Sequence, residues 1–333
     1  MRPVEAIDDL AAKAVFFSRR VSLAAQPQSY NAVMPIVQKE RRRTEHRNAS
    51  SRNLDQLSPE AILRLMSRED RKVAVAVARE LRHIARAVKA IVRGMQSGGR
   101  LIYVGAGTSG RLAVLDAAEC PPTFGTSPQL VQALIAGGKR AVTGAVEGAE
   151  DSVAKGARDL RKKKLRKNDV VVGIAASGTT PYVLGALKYA RERGAMTIAL
   201  TSNRHMPLAR LAKIVIAPQV GPEVLTGSTR LKAGTCQKMV LNMLSTAVMV
   251  RLGHAYENLM IDLALTNEKL SDRGRRILVE ASGKSASTAE HALRRSGHNL
   301  RVALVMLKTG VNAREAKRRI ASANGNLRQA LAQ

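Results

Sequence analysis

The 333-residue sequence is poor in aromatic residues, in cysteine and in acidic residues. It contains no tryptophan, five tyrosines, three phenylalanines and only two cysteines, Cys120 and Cys236. Two cysteines cannot make a disulfide framework or the usual structural zinc site, and the six histidines lack metal-ligand spacing. Uncharged stretches such as 170–187 are interrupted by Gly, Ser, Thr and Pro, which argues against a membrane span. These absences predict a soluble, cytoplasmic protein that has no metal site.

Basic residues exceed acidic ones by 55 to 26, which gives a net charge of +29. Residues 1–43 hold eight Lys/Arg and four Asp/Glu, so they contribute only 8 − 4 = +4 of this excess. A basic surface attracts nucleic acids, acidic membranes and anionic metabolites alike. Binders of single-stranded nucleic acid usually line their basic groove with aromatic side chains, and aromatics make up 2% of this sequence. The composition therefore argues against nucleic-acid binding and is compatible with a phosphate-binding surface.

The two ends of the chain show helical patterns and no strand patterns. Apolar residues from Val73 to Met95 recur three or four positions apart, which predicts one long amphipathic helix that ends at Gly98 and Gly99. After about residue 255 we expect helices at 258–270, 287–295, 299–308 and 312–323. The predicted organisation is a poorly ordered basic extension at 1–43, a helical segment at 44–99, a phosphosugar-binding domain at 100–254 and a small helical subdomain at 255–333.

In the middle of the chain, short apolar runs alternate with helical stretches. The predicted strands are 101–104, 170–174, 196–200 and 213–217. This alternation predicts an α/β fold, with a parallel Rossmann-like sheet that has helices on both faces. Two of the strands run into Gly/Ser/Thr-rich loops, at 105–110 and 175–181. Because ligands bind such folds at the carboxyl ends of the strands, the two loops should form two similar pockets at that edge of the sheet.

The first loop matches a dinucleotide-binding fingerprint, Gly105-x-Gly107-x-x-Gly110. A nicotinamide site also needs an acidic residue about 20 positions later, and none occurs between Glu119 and Glu147. The glycines still let backbone N–H groups approach an anion at a helix N-terminus, and the Ser/Thr hydroxyls add further donors. We therefore predict a phosphosugar pocket. Its candidate binding residues are Gly107, Thr108, Ser109, Glu147, Ser177, Thr179, Thr180, Ser228, Thr229, Arg230 and Lys232.

Carboxylates that could do acid–base chemistry occur in three places. Glu119 follows the first loop with no basic residue beside it, a second group contains Glu147, Glu150 and Asp151, and Glu223 stands alone. Removing a proton next to a carbonyl and protonating a leaving oxygen require two groups of different proton affinity, which glutamates in different surroundings supply. For Glu147 and Asp151, capping a helix start is an equally good interpretation.

Five stretches resemble one enzyme family. Residues 101–111, 115–125, 145–151, 173–182 and 221–235 are similar to the motifs of N-acetylmuramic acid 6-phosphate etherases, within the sugar-isomerase-domain group. The last stretch is a signature that this family shares with glucokinase regulatory proteins. The resemblance runs from about residue 44 to the C-terminus, and the sequence departs from the family pattern in its N-terminal extension, its basicity and Cys236.

The resemblance implies cleavage of the D-lactyl ether of N-acetylmuramic acid 6-phosphate, during recycling of cell-wall muramic acid. The match to the family's catalytic acids implies that Glu119 protonates the departing lactate and that Glu150 removes the C2 proton. Ser109, Ser177, Thr179 and Ser228 would hold phosphate or sugar hydroxyls. No metal or organic cofactor is implied, since the aldehyde of the opened sugar is the electron sink. The family is homodimeric, with helices of one subunit helping to close the pocket of the other.

Two other functions deserve comparison. A non-catalytic phosphosugar-binding regulator would share this pocket, but the glucokinase regulatory proteins are much longer and carry the sugar-binding domain twice. A DNA-binding regulator with the same domain would need a helix-turn-helix before residue 100, and the stripe at 73–95 does not have that form. The motifs favour the enzyme.

Overall fold

The computed structural model describes residues 43–323 and 325–333, so the predicted extension at 1–43 lies outside the described residues except for Arg43. The strands are β1 (Leu101–Gly105), β2 (Val131–Ile135), β3 (Val170–Ile174), β4 (Met196–Leu200) and β5 (Ile214–Ile216). The helices up to the end of the sheet region are α1 (Pro59–Ala78), α2 (Leu81–Gln96), α3 (Gly107–Phe124), α4 (Arg140–Thr143), α5 (Val153–Lys162), α6 (Pro181–Glu192), α7 (Pro207–Arg210) and α8 (Lys232–Arg251). The C-terminal helices are α9 (Glu268–Ser282), α10 (Ala286–Arg295), α11 (Leu300–Thr309), α12 (Ala313–Ser322) and α13 (Leu327–Leu331). Within the described ranges, none of these helices is long and apolar enough to cross a membrane.

The five strands form one parallel sheet in the order β2-β1-β3-β4-β5. Leu101 of β1 pairs with Val131 of β2 on one side and with Val170 of β3 on the other. The predicted α/β class is confirmed. The edge strand β2 was missed, since Gln132 interrupts its short apolar run.

Successive residues of the central strands face opposite sides of the sheet and bury different helices. Tyr103, Val172 and Leu200 belong to a buried cluster that includes residues of α1, α2, α3 and α8. Ile102 and Val171 belong to a second cluster, which includes residues of α5 and α6. The sheet is therefore sandwiched between two layers of helices, and its carboxyl edge is left to the loops.

The long N-terminal helix predicted at 73–95 is divided at Arg79 and Glu80, where α1 ends and α2 begins. Glu80 turns inward there: its carboxylate accepts a hydrogen bond from the Ala217 N–H (3.1 Å) and pairs with Arg204 (2.5 Å). The three- or four-residue spacing of the apolar residues correctly predicts a helix on each side of the break. Ala217 and Arg204 lie more than 120 positions later, so local periodicity could not indicate the interruption.

The chain after α8 is helical, but its first helix begins later than the sequence predicts. The segment before Asn267 is irregular, and the side chain of Asn267 caps α9 by accepting the Leu270 N–H (2.9 Å). The expectation of a helix from residue 258 is therefore wrong. The buried apolar side chains of the last helices form a cluster separate from the two on the sheet. On this ground we keep 255–333 as a proposed subdomain.

Candidate functional site

The first loop turns from β1 into α3 over a single residue, and two glycines make this possible. A β-carbon on Gly105 would lie 2.7 Å from the Gly110 nitrogen, and one on Gly110 would lie 2.5 Å from Cγ1 of Ile135. The helix starts at Gly107, whose φ of 51° lies in the left-handed region. Ser109 is buried in the first turn, where backbone N–H groups have no partner within the helix. The loop therefore offers N–H groups and a hydroxyl at the positive end of a helix.

The second loop stands beside the first one, because β1 and β3 are neighbours in the sheet. Gly178 has φ 74°, and the Ser177 hydroxyl accepts hydrogen bonds from the N–H (3.2 Å) and the hydroxyl (3.1 Å) of Thr179. Thr180 is the last residue before α6, which begins at Pro181, and its side chain makes no capping hydrogen bond. The direction in which strands are added reverses between β1 and β3, which is the switch point where such sheets bind ligands. Ser109 and the Ser177 loop therefore lie side by side at this edge of the sheet, and we call the space between them the crevice.

The third Ser/Thr segment, 226–232, reaches the same neighbourhood through the start of α8. A β-carbon on Gly234 would lie 3.4 Å from Cγ2 of Thr108 and 3.5 Å from the carbonyl oxygen of Thr229. Ser228 and Thr229 are half-buried, and Arg230 is exposed. The end of the segment, where α8 begins, therefore lies beside Thr108 of the first loop.

Lys232 and Glu223 hold this segment in place. The Lys232 ammonium lies 2.6 Å from a carboxylate oxygen of Glu69, and both side chains are buried. The Glu223 carboxylate accepts the N–H groups of Lys232 (3.0 Å) and Ala233 (2.9 Å), so it caps the start of α8. Burial raises the pKa of Glu223, and the two N–H donors offset part of that effect. Binding of substrate by Lys232 stays a prediction, since its ammonium is already paired.

Hydrogen bonds and packing hold the segment of Glu147, Glu150 and Asp151 next to the first loop. Arg111, in the second turn of α3, donates from Nε to the Val142 carbonyl (3.1 Å) and from Nη2 to the Gly144 carbonyl (2.8 Å). Ala149 packs into the same buried cluster as Ala106, the residue between β1 and α3. These contacts bring the Glu150 backbone to the side of the crevice.

The environment of Glu150 favours its protonated form relative to an ordinary glutamate. Partial desolvation raises the pKa of Glu150, and the negative charges of Asp151 and Glu147 raise it further. The side chains of Glu147 and Glu150 both reach solvent. A carboxylate with a raised pKa is a stronger base, which is the property that proton abstraction from carbon requires.

Glu119 lies at the other end of α3. It is 12 residues after Gly107, which places it about 18 Å farther along the helix axis. Its side chain is exposed, and so is Leu115 one turn earlier on the same face, which is 52% exposed. Within one copy of the chain, the first loop and Glu119 are therefore at opposite ends of the helix.

A fourth loop, after β4, adjoins the crevice and was not among the predicted site segments. The N–H of Ser202 (3.0 Å) and the side-chain amide of Asn203 (2.9 Å) both donate to the Ala176 carbonyl, next to Ser177. The polar run Thr201-Ser202-Asn203 directly after a predicted strand could have indicated this loop as part of the site.

Two family models and a solved structure match parts of this chain. Residues 83–191 match the model of the glucokinase regulatory protein N-terminal SIS domain, and residues 150–247 match that of the SIS domain. A phosphoheptose isomerase structure from Francisella tularensis is 20% identical, with a TM-score of 0.45 over 60% of this chain and 98% of that one.

Two relatives match much more of the sequence. N-acetylmuramic acid 6-phosphate etherases from Yersinia pestis (strain Pestoides F) and Yersinia pseudotuberculosis serotype O:1b (strain IP 31758) are each 54% identical over 288 residues. That alignment covers 86% of this chain and 98% of each relative. Identity at this level over nearly a whole relative shows that this chain belongs to the N-acetylmuramic acid 6-phosphate etherase family.

Proposed function

We propose that the protein cleaves the D-lactyl ether of N-acetylmuramic acid 6-phosphate to N-acetylglucosamine 6-phosphate and D-lactate. The observation that carries this proposal is the 54% identity to etherases over 98% of their length. The glucokinase-regulatory-protein match covers only residues 83–191, so the comparisons favour the enzyme over a non-catalytic regulator. We also place the reaction in the cytoplasm, where muramic acid is recycled.

The crevice between β1 and β3 suits the phosphosugar end of this substrate. The first turns of α3 and α6 direct N–H groups and positive dipole ends toward the carboxyl edge of the sheet. We assign the phosphate and the sugar hydroxyls to the hydroxyl-bearing residues of the three segments, with Gly107 allowing close approach of the backbone. These residues are Thr108, Ser109, Ser177, Thr179, Thr180, Ser228 and Thr229.

The chemistry proceeds through the open-chain sugar. Its aldehyde makes the C2 proton acidic, and the Glu150 carboxylate takes that proton. The C2 electron pair forms the C2=C3 bond, the C3–O bond breaks, and Glu119 gives a proton to the departing lactate oxygen. Water then adds its oxygen to C3 of the unsaturated aldehyde while a proton returns to C2, which yields the product sugar. The aldehyde accepts electron density throughout, so the substrate itself acts as the electron sink.

The position of Glu119 supports a homodimeric enzyme. Glu119 is about 18 Å along α3 from the first loop, whereas the Glu150 segment is fastened beside that loop. A second copy that covers the face of Leu115 and Glu119 would bury an exposed apolar side chain and carry its own crevice to Glu119. We therefore propose that each active site combines Glu150 of one subunit with Glu119 of the other.

The test is D-lactate release from N-acetylmuramic acid 6-phosphate by the wild type, Glu119→Ala and Glu150→Ala. Glu192→Ala, an exposed glutamate at the end of α6, is the matched control. We expect release by the wild type and the control and its loss in the other two variants. Tight substrate binding without any lactate would instead favour the regulator. Release by all four proteins would keep the activity and refute the assignment of the two glutamates.

A further inference from the structure

A cavity of about 330 Å³ opens next to the crevice, at the loop that follows β4. Its basic lining residues are Arg43, Arg204 and His205, and its other polar ones are Ser202, Asn203 and Gln219. No carboxylate is among the described residues that line it. The lining is rich in hydrogen-bond donors and carries positive charge, which is the chemistry of an anion site.

Arg43 is placed at this cavity and keeps its charge available. Its backbone N–H donates to the Asn203 side-chain oxygen (3.0 Å), which fixes it against the β4 loop. Its guanidinium donates to the amide oxygen of Gln219 (2.8 Å), a neutral partner. Arg204, in contrast, is paired with Glu80 at 2.5 Å. Of these two arginines, Arg43 is the one with charge to offer a ligand.

Ser202 supplies a hydroxyl that lacks a partner. The residue is only 4% exposed, and its Oγ makes no hydrogen bond with any residue in the described part of the chain. A buried hydroxyl is costly unless it is satisfied, and its hydrogen can rotate toward a ligand in the cavity that Ser202 lines. The neighbouring hydroxyl of Thr201 is already used, since it donates to the Ala176 carbonyl (3.2 Å).

The cavity continues the crevice. Ser202 is bound through its N–H to Ala176, and Ser177 of the second loop is the next residue. Neighbouring strands are about 4.8 Å apart, so the loops after β1, β3 and β4 together span about 10 Å. This is the length scale of a sugar with a charged group at each end.

We propose that this cavity binds the carboxylate of the substrate's lactyl group, through the Arg43 guanidinium and the Ser202 hydroxyl. The inference rests on the proposed function, in which the hydroxyl-rich loops after β1 and β3 hold the 6-phosphate. The lactyl carboxylate is the second negative charge of the same molecule, and the product sugar lacks it. The β4 loop would then distinguish substrate from product.

Two non-reacting ligands test this. N-acetylmuramic acid 6-phosphate reduced at C1 keeps its phosphate and lactyl ether but has no aldehyde, so it cannot eliminate lactate. N-acetylglucosamine 6-phosphate reduced in the same way differs only by lacking the lactyl group. Their dissociation constants are measured by calorimetry for the wild type, Arg43→Gln, Ser202→Ala and Arg210→Gln. The last variant loses an exposed arginine four residues beyond the cavity loop and is the matched control.

We expect Arg43→Gln to weaken binding of the lactyl-bearing ligand roughly tenfold or more, and Ser202→Ala to weaken it severalfold, with little change for the other ligand. The control should change neither constant. Equal weakening for both ligands would overturn the inference, because the phosphate would then occupy the cavity, and so would no weakening at all. Lactate release by the wild type is measured separately, so an active enzyme with unselective variants refutes this inference alone. A wild type that binds neither ligand would refute this inference, and one that also releases no lactate would refute the proposed function with it.

Discussion

The ammonium of Lys232 lies 2.6 Å from the carboxylate of Glu69, and each side chain is only 2% exposed. The pair joins α1 to the first residue of α8, across 163 positions of sequence. Burial alone would raise the pKa of Glu69, but hydrogen bonds from Lys232, Lys72 and Asn48 outweigh it and hold that pKa at about 2. The segment 226–232 is therefore anchored at its last residue, Lys232, by an ion pair in which Glu69 is fully ionised.

Removal of the cation should destabilise the fold severely. In Lys232→Met, the Glu69 carboxylate keeps its burial but loses its main partner, and breaking such a pair costs about 3–5 kcal/mol. We expect a loss of that size in the free energy of unfolding, measured with guanidinium chloride. Lys238→Met, an exposed site on the same helix, should stay within about 0.5 kcal/mol of the wild type. An unchanged midpoint for Lys232→Met would show that Glu69 finds another partner.

The turn at Gly178 should tolerate no side chain. Its φ is 74°, and a β-carbon would lie 2.6 Å from Cβ of Met206 and 2.9 Å from the Thr201 hydroxyl oxygen. Gly178→Ala thus combines backbone strain with a clash against the β4 loop. We expect a loss of about 2 kcal/mol or more in unfolding free energy.

Gly194→Ala is the matched control for this turn. Gly194 has φ 75° and nothing within 4 Å of the added carbon, so it should cost only about 1 kcal/mol of strain. Equal losses at the two positions would mean that the clash at Gly178 relaxes without cost.

Local sequence patterns were sufficient for the class of fold and for the two loops of the crevice. The strands β1 and β3 are uninterrupted apolar runs followed by glycines, and both features depend only on neighbouring residues. The contacts that local patterns cannot show join distant parts of the chain. Examples are the break at Glu80, which depends on Ala217, and the pairing of Lys232 with Glu69.

The same limit applies to the candidate site. Resemblance indicated Glu119 and Glu150 as a pair, but its motifs do not show that α3 places Glu119 about 18 Å along the helix axis from the first loop. The loop that contains Ser202 could not be predicted as part of the site, because its hydroxyl and amide residues form no recognised motif. It lies near the second loop only because β4 is the neighbour of β3 in the sheet.

The acid side of the pH profile should report the Glu150 carboxylate. If Glu150 is the base, kcat/KM falls as the pH drops through its raised pKa, at a pH above the range of an ordinary glutamate. Asp151→Asn removes a negative neighbour that helps to raise this pKa. The fall of kcat/KM at low pH should then move to lower pH, even if the substitution also changes the maximal rate. A fall that stays in place, or moves to higher pH, would contradict the assignment of Glu150 as the base.

Two inactive variants should restore each other if the active site is shared between subunits. Glu119→Gln and Glu150→Gln homodimers each lack one carboxylate at both sites. When the two proteins are unfolded together and refolded in equal amounts, half of the dimers are mixed. Each mixed dimer has one site with both glutamates and one site with neither, so about a quarter of wild-type lactate release should return. A site built within one subunit would leave both of its copies defective in every mixed dimer, and no activity would return. Mixing the two variants without unfolding is the control, since subunits that do not exchange should remain inactive.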